Sequence, residues 1–105
     1  MKITITGGAG FVGANLVKAL ELDPRIEEIV VLDDFSTGSY ENIALTKAKI
    51  IEGSILDKSV VEEAVSQSSA IIHLAARSSV PRSIDDPKAT HDVNTTGTVN
   101  ILEEI

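Results

Sequence analysis

Three glycines near the amino terminus have the spacing of a loop that binds the phosphates of a dinucleotide. Gly8, Gly10 and Gly13 form a Gly-x-Gly-x-x-Gly pattern that directly follows the apolar run at residues 3–6 and opens a helical pattern. Such a loop presents bare backbone and the positive end of a helix dipole to a phosphate. On this interpretation Gly8 permits the tight turn, Gly10 leaves room for a pyrophosphate, and Gly13 lets helix and strand pack closely. The pattern predicts a dinucleotide site.

A carboxylate stands twenty residues after the last of these glycines, where a second apolar run ends. Asp33 at that position can accept hydrogen bonds from both hydroxyls of an adenosine ribose. Its charge would repel a 2′-phosphate, and no arginine occupies positions 33–40 to bind one, so the sequence favours NAD over NADP. A plain strand–helix turn with a solvated Asp33 would leave the combined spacing unexplained. A flavin or another adenine nucleotide in the same groove is the remaining alternative.

Short β-branched runs alternate with helical patterns along the chain, which is typical of a parallel α/β sheet. The predicted strands are residues 3–6, 29–32, 50–51 and 70–74. The predicted helices are residues 12–22, a second helix from the N-cap Asp57 to about Val65, and a third that begins at Pro87 with Asp86 as its cap. Ser59 with Glu62 offers an alternative capping box for the second helix.

Two apolar faces and the crossover rule then predict the architecture. The first helix should pack through Val12, Leu16, Ala19 and Leu20, and the last through Ala89, Val93, Gly97, Ile101 and Ile105. Right-handed crossovers place the second strand beside the first and the third beyond the second. In the nucleotide-binding version of such a sheet the fourth strand returns to the other side of the first, which gives the order 3-2-1-4. We therefore expect part of a doubly wound, Rossmann-type parallel sheet in a three-layer αβα arrangement.

The composition limits the other kinds of site. Sixteen acidic against nine basic residues give a net charge of −7, which opposes nucleic-acid binding, and the absence of cysteine excludes disulfides and thiolate sites. His73 and His91 lie far apart, so no metal site is expected; the first is predicted to be a hydrogen-bonded packing residue and the second to be exposed. With no apolar run of membrane-spanning length and no room for a signal segment before the first strand, we expect a cytoplasmic protein without a membrane partner.

Five segments resemble, in order, motifs of the extended short-chain dehydrogenase/reductases, in particular NAD-dependent epimerases and dehydratases, and most closely UDP-glucose 4-epimerases. They are residues 6–13 (TGGAGFVG), 31–38 (VLDDFSTG) with 41–43 (ENI), 73–76 (HLAA), 79–87 (SVPRSIDDP) and 94–98 (NTTGT). The resemblance covers nearly the whole chain.

The resemblance implies contacts with NAD along the chain. The implied cofactor residues are Gly7, Gly10, Phe11, Val12 and Gly13 at the phosphates, Asp33, Asp34, Phe35, Ser36, Thr37 and Gly38 around the adenosine, Ser54 and Ile55 at the adenine, Leu74, Ala75 and Ala76 beside the nicotinamide, and Asn94 on the last helix. Ser78 and Ser79 would face the sugar. Where the family has an aspartate, Ser54 carries only a hydroxyl, so its contact with adenine is expected to be weaker.

The same resemblance implies a reaction and partners. The protein would be an isomerase of carbohydrate metabolism in which bound NAD transiently oxidises a nucleotide sugar at C4, with a UDP-sugar as substrate and a homodimer as assembly. Two alternatives remain: another extended short-chain dehydrogenase such as a nucleotide-sugar dehydratase, and a non-catalytic dinucleotide-binding module.

The acid–base motif of this family, Tyr-x-x-x-Lys, does not occur in the 105 residues. The one tyrosine, Tyr40, is followed four positions later by Ala44, so no catalytic residue is assigned. We therefore expect residues 1–105 to be the N-terminal, NAD-binding part of a Rossmann domain, without the catalytic and sugar-binding part, and inactive alone.

The fourth predicted strand is then left with an exposed apolar edge, and such edges pair with other chains. We expect the 105-residue chain to self-associate or to be poorly stable. Light scattering and calorimetry test this; a monodisperse monomer with one cooperative melting transition would contradict it.

Overall fold

The computed structural model describes residues 1–76 and 84–105 and contains one four-stranded parallel sheet. The strands are β1 (Lys2–Thr6), β2 (Glu28–Asp33), β3 (Lys49–Glu52) and β4 (Ala70–His73). Their order is β3-β2-β1-β4, so the predicted α/β class and the order 3-2-1-4 are confirmed.

The helices lie between and after the strands. They are α1 (Phe11–Leu20), a short 3₁₀ turn (Tyr40–Asn42), α2 (Lys58–Val65), α3 (Pro87–His91), a π-helical segment (Asp92–Gly97) and α4 (Thr98–Glu103). Both predicted caps are present: Asp57 accepts hydrogen bonds from Ser59 N and Val60 N, and Asp86 Oδ1 accepts one from Ala89 N at 3.1 Å. These caps satisfy N–H groups of the first helical turn.

The strands are apolar on both faces because helices cover both. Alternate residues of β2 point to opposite sides, so Ile29 and Val31 pack with α1 while Val30 and Leu32 pack with α2 and α4. The core is consequently divided into two aliphatic clusters, one on each side of the sheet, which confirms the three-layer arrangement.

The predicted extent and buried face of the first helix were wrong. α1 ends at Leu20 rather than residue 22, because Leu22 N and Asp23 N bond three residues back and Pro24 cannot continue the helix. The buried residues are Gly13, Ala14 and Val17, with Leu16 and Leu20 beside them, whereas Val12 and Ala19 are exposed. The first buried residues of α1, Gly13 and Ala14, are small because this part of the helix lies very close to the glycine loop.

The predicted apolar stripe of the last helix is only partly buried. Gly97 and Ile101 are buried and Val93 packs on the same core cluster, but Ile105 is 83% exposed. The π-helical segment changes the residue repeat within the helix, so a stripe at constant spacing does not stay on one face. A Cβ on Gly97 would lie 2.4 Å from Ile55 Cδ1, which explains the glycine at this crossing.

A buried amide fastens the last helix to the loop after β3. Asn100 is 4% exposed, and its Nδ2 donates to Ile55 O at 3.0 Å. Replacing Asn100 with alanine leaves this carbonyl without its donor, so we expect a loss of about 1–3 kcal/mol in the free energy of unfolding. Urea unfolding followed by circular dichroism measures it. The neighbouring change Val99→Ala, at a half-exposed position, should cost less than about 0.5 kcal/mol; equal effects of the two changes would contradict the prediction.

Candidate functional site

A cavity of about 360 Å³ opens at the carboxyl ends of the strands, where the chain passes to opposite sides of β1. Open α/β sheets bind their ligands at this reversal of strand order. The cavity is lined by the glycine loop, the first turn of α1 and the loops that follow β2, β3 and β4. The lining residues are Gly7, Gly10, Phe11, Val12, Gly13, Asp33, Asp34, Ser36, Thr37, Gly38, Ile55, Leu74, Ala75, Ala76 and Val93.

The tight turn of the glycine loop lies at Gly7, not at Gly8 as the sequence predicted. Gly7 has a φ of +73°, and a Cβ there would stand 2.8 Å from Ala75 N. A side chain on Gly8 would instead meet Val31 Cγ1 at 2.7 Å, so Gly8 is required by packing on the sheet. The motif indicated a turn without indicating which of two adjacent glycines has the left-handed conformation.

The other two glycines have the predicted surroundings. A Cβ on Gly13 would lie 2.4 Å from Gly7 O, so close packing of α1 on the loop requires glycine there. Gly10 is the N-cap of α1, and a Cβ on it would meet only Gly7 O, at 3.4 Å. Since Gly10 has no side chain to cap the helix, the first-turn N–H groups are available to an anion, and the helix dipole favours negative charge at this point.

Asp33 is 8% exposed and is held in one orientation by the backbone. Its Oδ2 accepts from Ala9 N at 2.9 Å and its Oδ1 accepts from Phe35 N at 2.8 Å. Each carboxylate oxygen can accept a second hydrogen bond, so both retain capacity toward the cavity. This arrangement suits a ligand with two neighbouring hydroxyl groups, and its negative charge opposes an added phosphate.

Ala9 connects the glycine loop to the loop after β2, a role the sequence did not reveal. Its carbonyl accepts from Ser39 N at 3.1 Å and from Asn42 Nδ2 at 2.8 Å, while its N–H bonds to Asp33. A Cβ on Gly38 would stand 2.7 Å from Ala9 C, so the two loops touch through backbone. The two sides of the cavity are therefore held at a fixed separation.

His73 is hydrogen-bonded through both ring nitrogens, as expected of a packing residue. Nδ1 lies 2.5 Å from Thr6 Oγ1 on β1, and Nε2 lies 2.9 Å from Thr98 Oγ1 on α4. Burial lowers the pKa of the imidazole below its usual value of 6.5. Both side-chain partners are uncharged hydroxyls, so nothing in these contacts favours the protonated ring.

The lowered pKa of His73 predicts a pH dependence of stability. The unfolded chain binds the proton more tightly, so the stability from neutral His73 is complete above pH 6.5 and is lost as the pH falls from 6.5 through the lower folded pKa. We expect the urea midpoint to fall over this interval in the wild type and to fall less in His73→Gln. His91→Gln, at the exposed histidine, is measured beside it as the control for the loss of one imidazole. Identical profiles for the wild type and His73→Gln would contradict the prediction.

Three predicted cofactor residues do not line the cavity. Phe35 has a φ of 59° and its ring packs on the core beside α1, Ser54 Oγ accepts a hydrogen bond from Leu56 N at 3.0 Å, and Asn94 lies on the π-helical segment. Ser78 and Ser79 lie outside the described residues. Val93 lines the cavity although its sequence signal, an apolar residue at helical spacing, predicted only core packing.

Two further findings concern residues 1–76 and 84–105 only. They contain no group of three histidine, aspartate or glutamate side chains placed to hold a metal ion. None of their helices has the length and apolar character needed to cross a membrane.

The sheet order, the glycine loop and the placement of Asp33 define a Rossmann-type dinucleotide-binding domain. Residues 3–105 match the model of the NAD dependent epimerase/dehydratase family, and the chain belongs to that family. The family's members are enzymes, and the cofactor expected from the sequence, NAD, is confirmed as the cofactor of the family.

Relatives include both kinds of enzyme in the family's name. A dTDP-glucose 4,6-dehydratase of Mycolicibacterium smegmatis is 36% identical over 108 residues, which cover 100% of this chain and 33% of the relative. The UDP-glucose 4-epimerase of Thermus thermophilus, solved with NAD, superposes with a TM-score of 0.87 at 36% identity, covering 99% of this chain and 33% of that one. The UDP-glucose 4-epimerase of Thermotoga maritima, solved with UDP-glucose, gives 0.91 at 34%, with coverage of 99% and 33%. The chain thus spans about a third of the length of the relatives it matches.

Proposed function

We propose that residues 1–105 are the NAD-binding portion of a nucleotide-sugar 4-epimerase similar to UDP-glucose 4-epimerase. The observation that carries this proposal is a single cavity that joins Asp33, the free N-terminus of α1 and the loop after β4. These are an acceptor for a diol, an anion site and an apolar wall, in the order in which NAD presents its adenosine, its pyrophosphate and its nicotinamide.

The residues at each part of the cavity suit the cofactor. Asp33 has a free acceptor position on each oxygen for the ribose hydroxyls, and the first turn of α1 offers N–H groups to the pyrophosphate. Ala75 and Ala76 have small side chains that leave space for a planar ring. Bound NAD supplies the hydride acceptor that makes transient oxidation at the sugar C4 possible.

A UDP-sugar is the substrate we infer for the complete protein, supported by the Thermotoga maritima relative that was solved with UDP-glucose. Ser78 and Ser79 remain predicted to face the sugar. A homodimer is also proposed, with the outer side of α4 as its face, since Val99 and Leu102 on that helix are 45% and 60% exposed. We also propose that the protein is cytoplasmic.

The acid–base motif expected to move the sugar proton does not occur in residues 1–105. In general acid–base catalysis a side chain must lie within hydrogen-bond reach of the proton that it takes. The only tyrosine, Tyr40, lies on the 3₁₀ turn after β2, and no Tyr-x-x-x-Lys occurs in the sequence. We propose that the 105-residue chain binds NAD and is inactive alone.

A nucleotide-sugar dehydratase is the second candidate, and the Mycolicibacterium smegmatis relative favours it. A dehydratase uses the same hydride exchange with NAD but releases water from the sugar. The cofactor site described above serves both reactions, so the difference between them must arise at the substrate.

Assaying the product of the complete gene with NAD, UDP-glucose and dTDP-glucose tests the proposal. Conversion of UDP-glucose to its C4 epimer supports it. A dehydrated keto-sugar product would instead establish the dehydratase, and NAD binding without turnover of either sugar would establish a non-catalytic binding module. Size-exclusion chromatography with light scattering on the same sample tests the homodimer.

A further inference from the structure

We propose that His73 is a positioning residue for the nicotinamide half of the cofactor, acting through a hydrogen-bond chain of fixed direction that joins β1, the loop after β4 and the last helix. This inference rests on the proposed function. The hydrogen-bond chain consists of Thr6, His73 and Thr98, and none of these three residues lines the cavity itself.

The direction of the chain follows from the number of protons on each group. Thr98 Oγ1 donates its one proton to Asn94 O at 2.9 Å, so toward His73 it can only accept, and His73 Nε2 must carry a proton. In the neutral ring Nδ1 is then an acceptor, and Thr6 Oγ1 donates to it. The chain fixes the Nε2–H tautomer of His73.

Thr6 extends the chain to the cavity wall. Its Oγ1 accepts from Ala75 N at 3.2 Å and from Leu74 N at 3.1 Å, the latter N–H being shared with Thr6 O at 3.0 Å, while it donates to His73. The hydroxyl therefore uses its proton and both lone pairs. Because Leu74 and Ala75 line the cavity, the backbone there is held by the same chain that holds the imidazole.

The other end of the chain reaches the opposite wall. Asn94 O, which accepts from Thr98, belongs to the π-helical segment that also carries Val93, a lining residue. With the adenosine ribose at Asp33 and the pyrophosphate at α1, the remaining half of NAD must lie between Ala75 and Val93. His73 thus sets the separation of the two walls that enclose the nicotinamide.

Thr98 offers a matched pair of variants that test this role. Thr98→Val keeps the shape of the side chain but removes the acceptor for Nε2–H, whereas Thr98→Ser keeps the hydroxyl. The 105-residue chain is titrated calorimetrically with NAD and with ADP-ribose, which lacks nicotinamide. The difference between the two affinities reports on the nicotinamide alone. We expect Thr98→Val to weaken NAD binding by about 3- to 10-fold, the effect of one hydrogen bond, with ADP-ribose binding unchanged and Thr98→Ser near wild type.

Two results would overturn the proposal. If Thr98→Val lost the same factor of affinity for NAD and for ADP-ribose, Thr98 and His73 would have only a structural role. If it lost affinity for neither ligand, they would have no role in cofactor binding. In the wild-type protein, nitrogen-15 NMR should show His73 protonated on Nε2 at neutral pH. Protonation on Nδ1 would contradict the proposed direction of the hydrogen bonds, and this test needs no variant. A wild-type chain that bound neither NAD nor ADP-ribose would instead refute the proposed function itself.

Discussion

Alanine at position 13 is expected to disrupt the glycine loop, whereas alanine at position 10 should leave the fold intact. In Gly13→Ala the new Cβ would stand 2.4 Å from Gly7 O and 2.6 Å from Gly8 Cα. Both contacts are with backbone, so α1 must move away from the loop. We expect a loss of about 3 kcal/mol or more in the free energy of unfolding, at the upper end for an overpacked site. Urea unfolding followed by circular dichroism measures it.

Gly10→Ala is the matched control because it adds the same methyl group to the same loop. Its Cβ meets only Gly7 O, at 3.4 Å, so stability should stay near the wild-type value. Gly10 lines the cavity where we propose that the pyrophosphate binds, so we expect the added methyl group to weaken NAD binding at least about tenfold, or about 1.4 kcal/mol. Wild-type stability in Gly13→Ala, or wild-type NAD affinity in Gly10→Ala, would contradict the account of this loop.

Asp33→Asn is expected to reduce both NAD affinity and the preference for NAD over NADP. The amide offers one oxygen where the carboxylate offers two, so one of the two N–H groups from Ala9 and Phe35 loses its acceptor and a ribose hydroxyl loses another. Hydrogen bonds to a charged group contribute about 1.5–3 kcal/mol, which predicts NAD binding weaker by about 10-fold or more. NADP should lose less, because the repulsion of its 2′-phosphate falls.

Glu41→Gln gives the control for Asp33→Asn, since it also removes one carboxylate charge. Glu41 is exposed on the 3₁₀ turn after β2 and is not among the residues that line the cavity. We expect less than a threefold change in NAD affinity, of the order of screened surface charge. Equal effects of the two substitutions in isothermal titration would show that net charge, and not the hydrogen-bonded carboxylate, selects the cofactor.

The strands and caps could be predicted because their signals are local. A run such as residues 29–32 is apolar on both faces only where helices cover both, and Asp57 and Asp86 cap helices through their own neighbours. The strand order also followed, because the handedness of crossovers leaves few topologies for this order of elements.

The packing of α1 and of the last helix could not be predicted from residue type. The glycine motif predicted the close packing at Gly13, but no local pattern indicated that Ala14 would be buried while Val12 is exposed. Gly97 and the buried Asn100 both pack against Ile55, which lies 45 residues before Asn100 in the chain. Contacts made across such separations appear only once the sheet has brought their elements together.

In the candidate site, too, features with a local sequence signal were predicted, and features that depend on contacts between distant residues were not. Asp33 was identified from its distance to the glycine loop, and its position in the cavity agrees with that inference. The connection through Ala9 carries no side-chain signal, since it consists of the backbone N–H and C=O of an alanine. The resemblance implied a contact of Phe35 with the adenosine, but Phe35 has a left-handed backbone and its side chain packs on the core.

Calorimetric titration of the 105-residue chain with NAD, with NADP as competitor, tests the central claim most directly. We predict saturable binding of one NAD per chain, weaker binding of NADP, and NAD binding at least about tenfold weaker in Gly10→Ala. Tighter binding of NADP than of NAD, or no binding of NAD by a chain that is folded by circular dichroism, would contradict the claim that these residues form an NAD site.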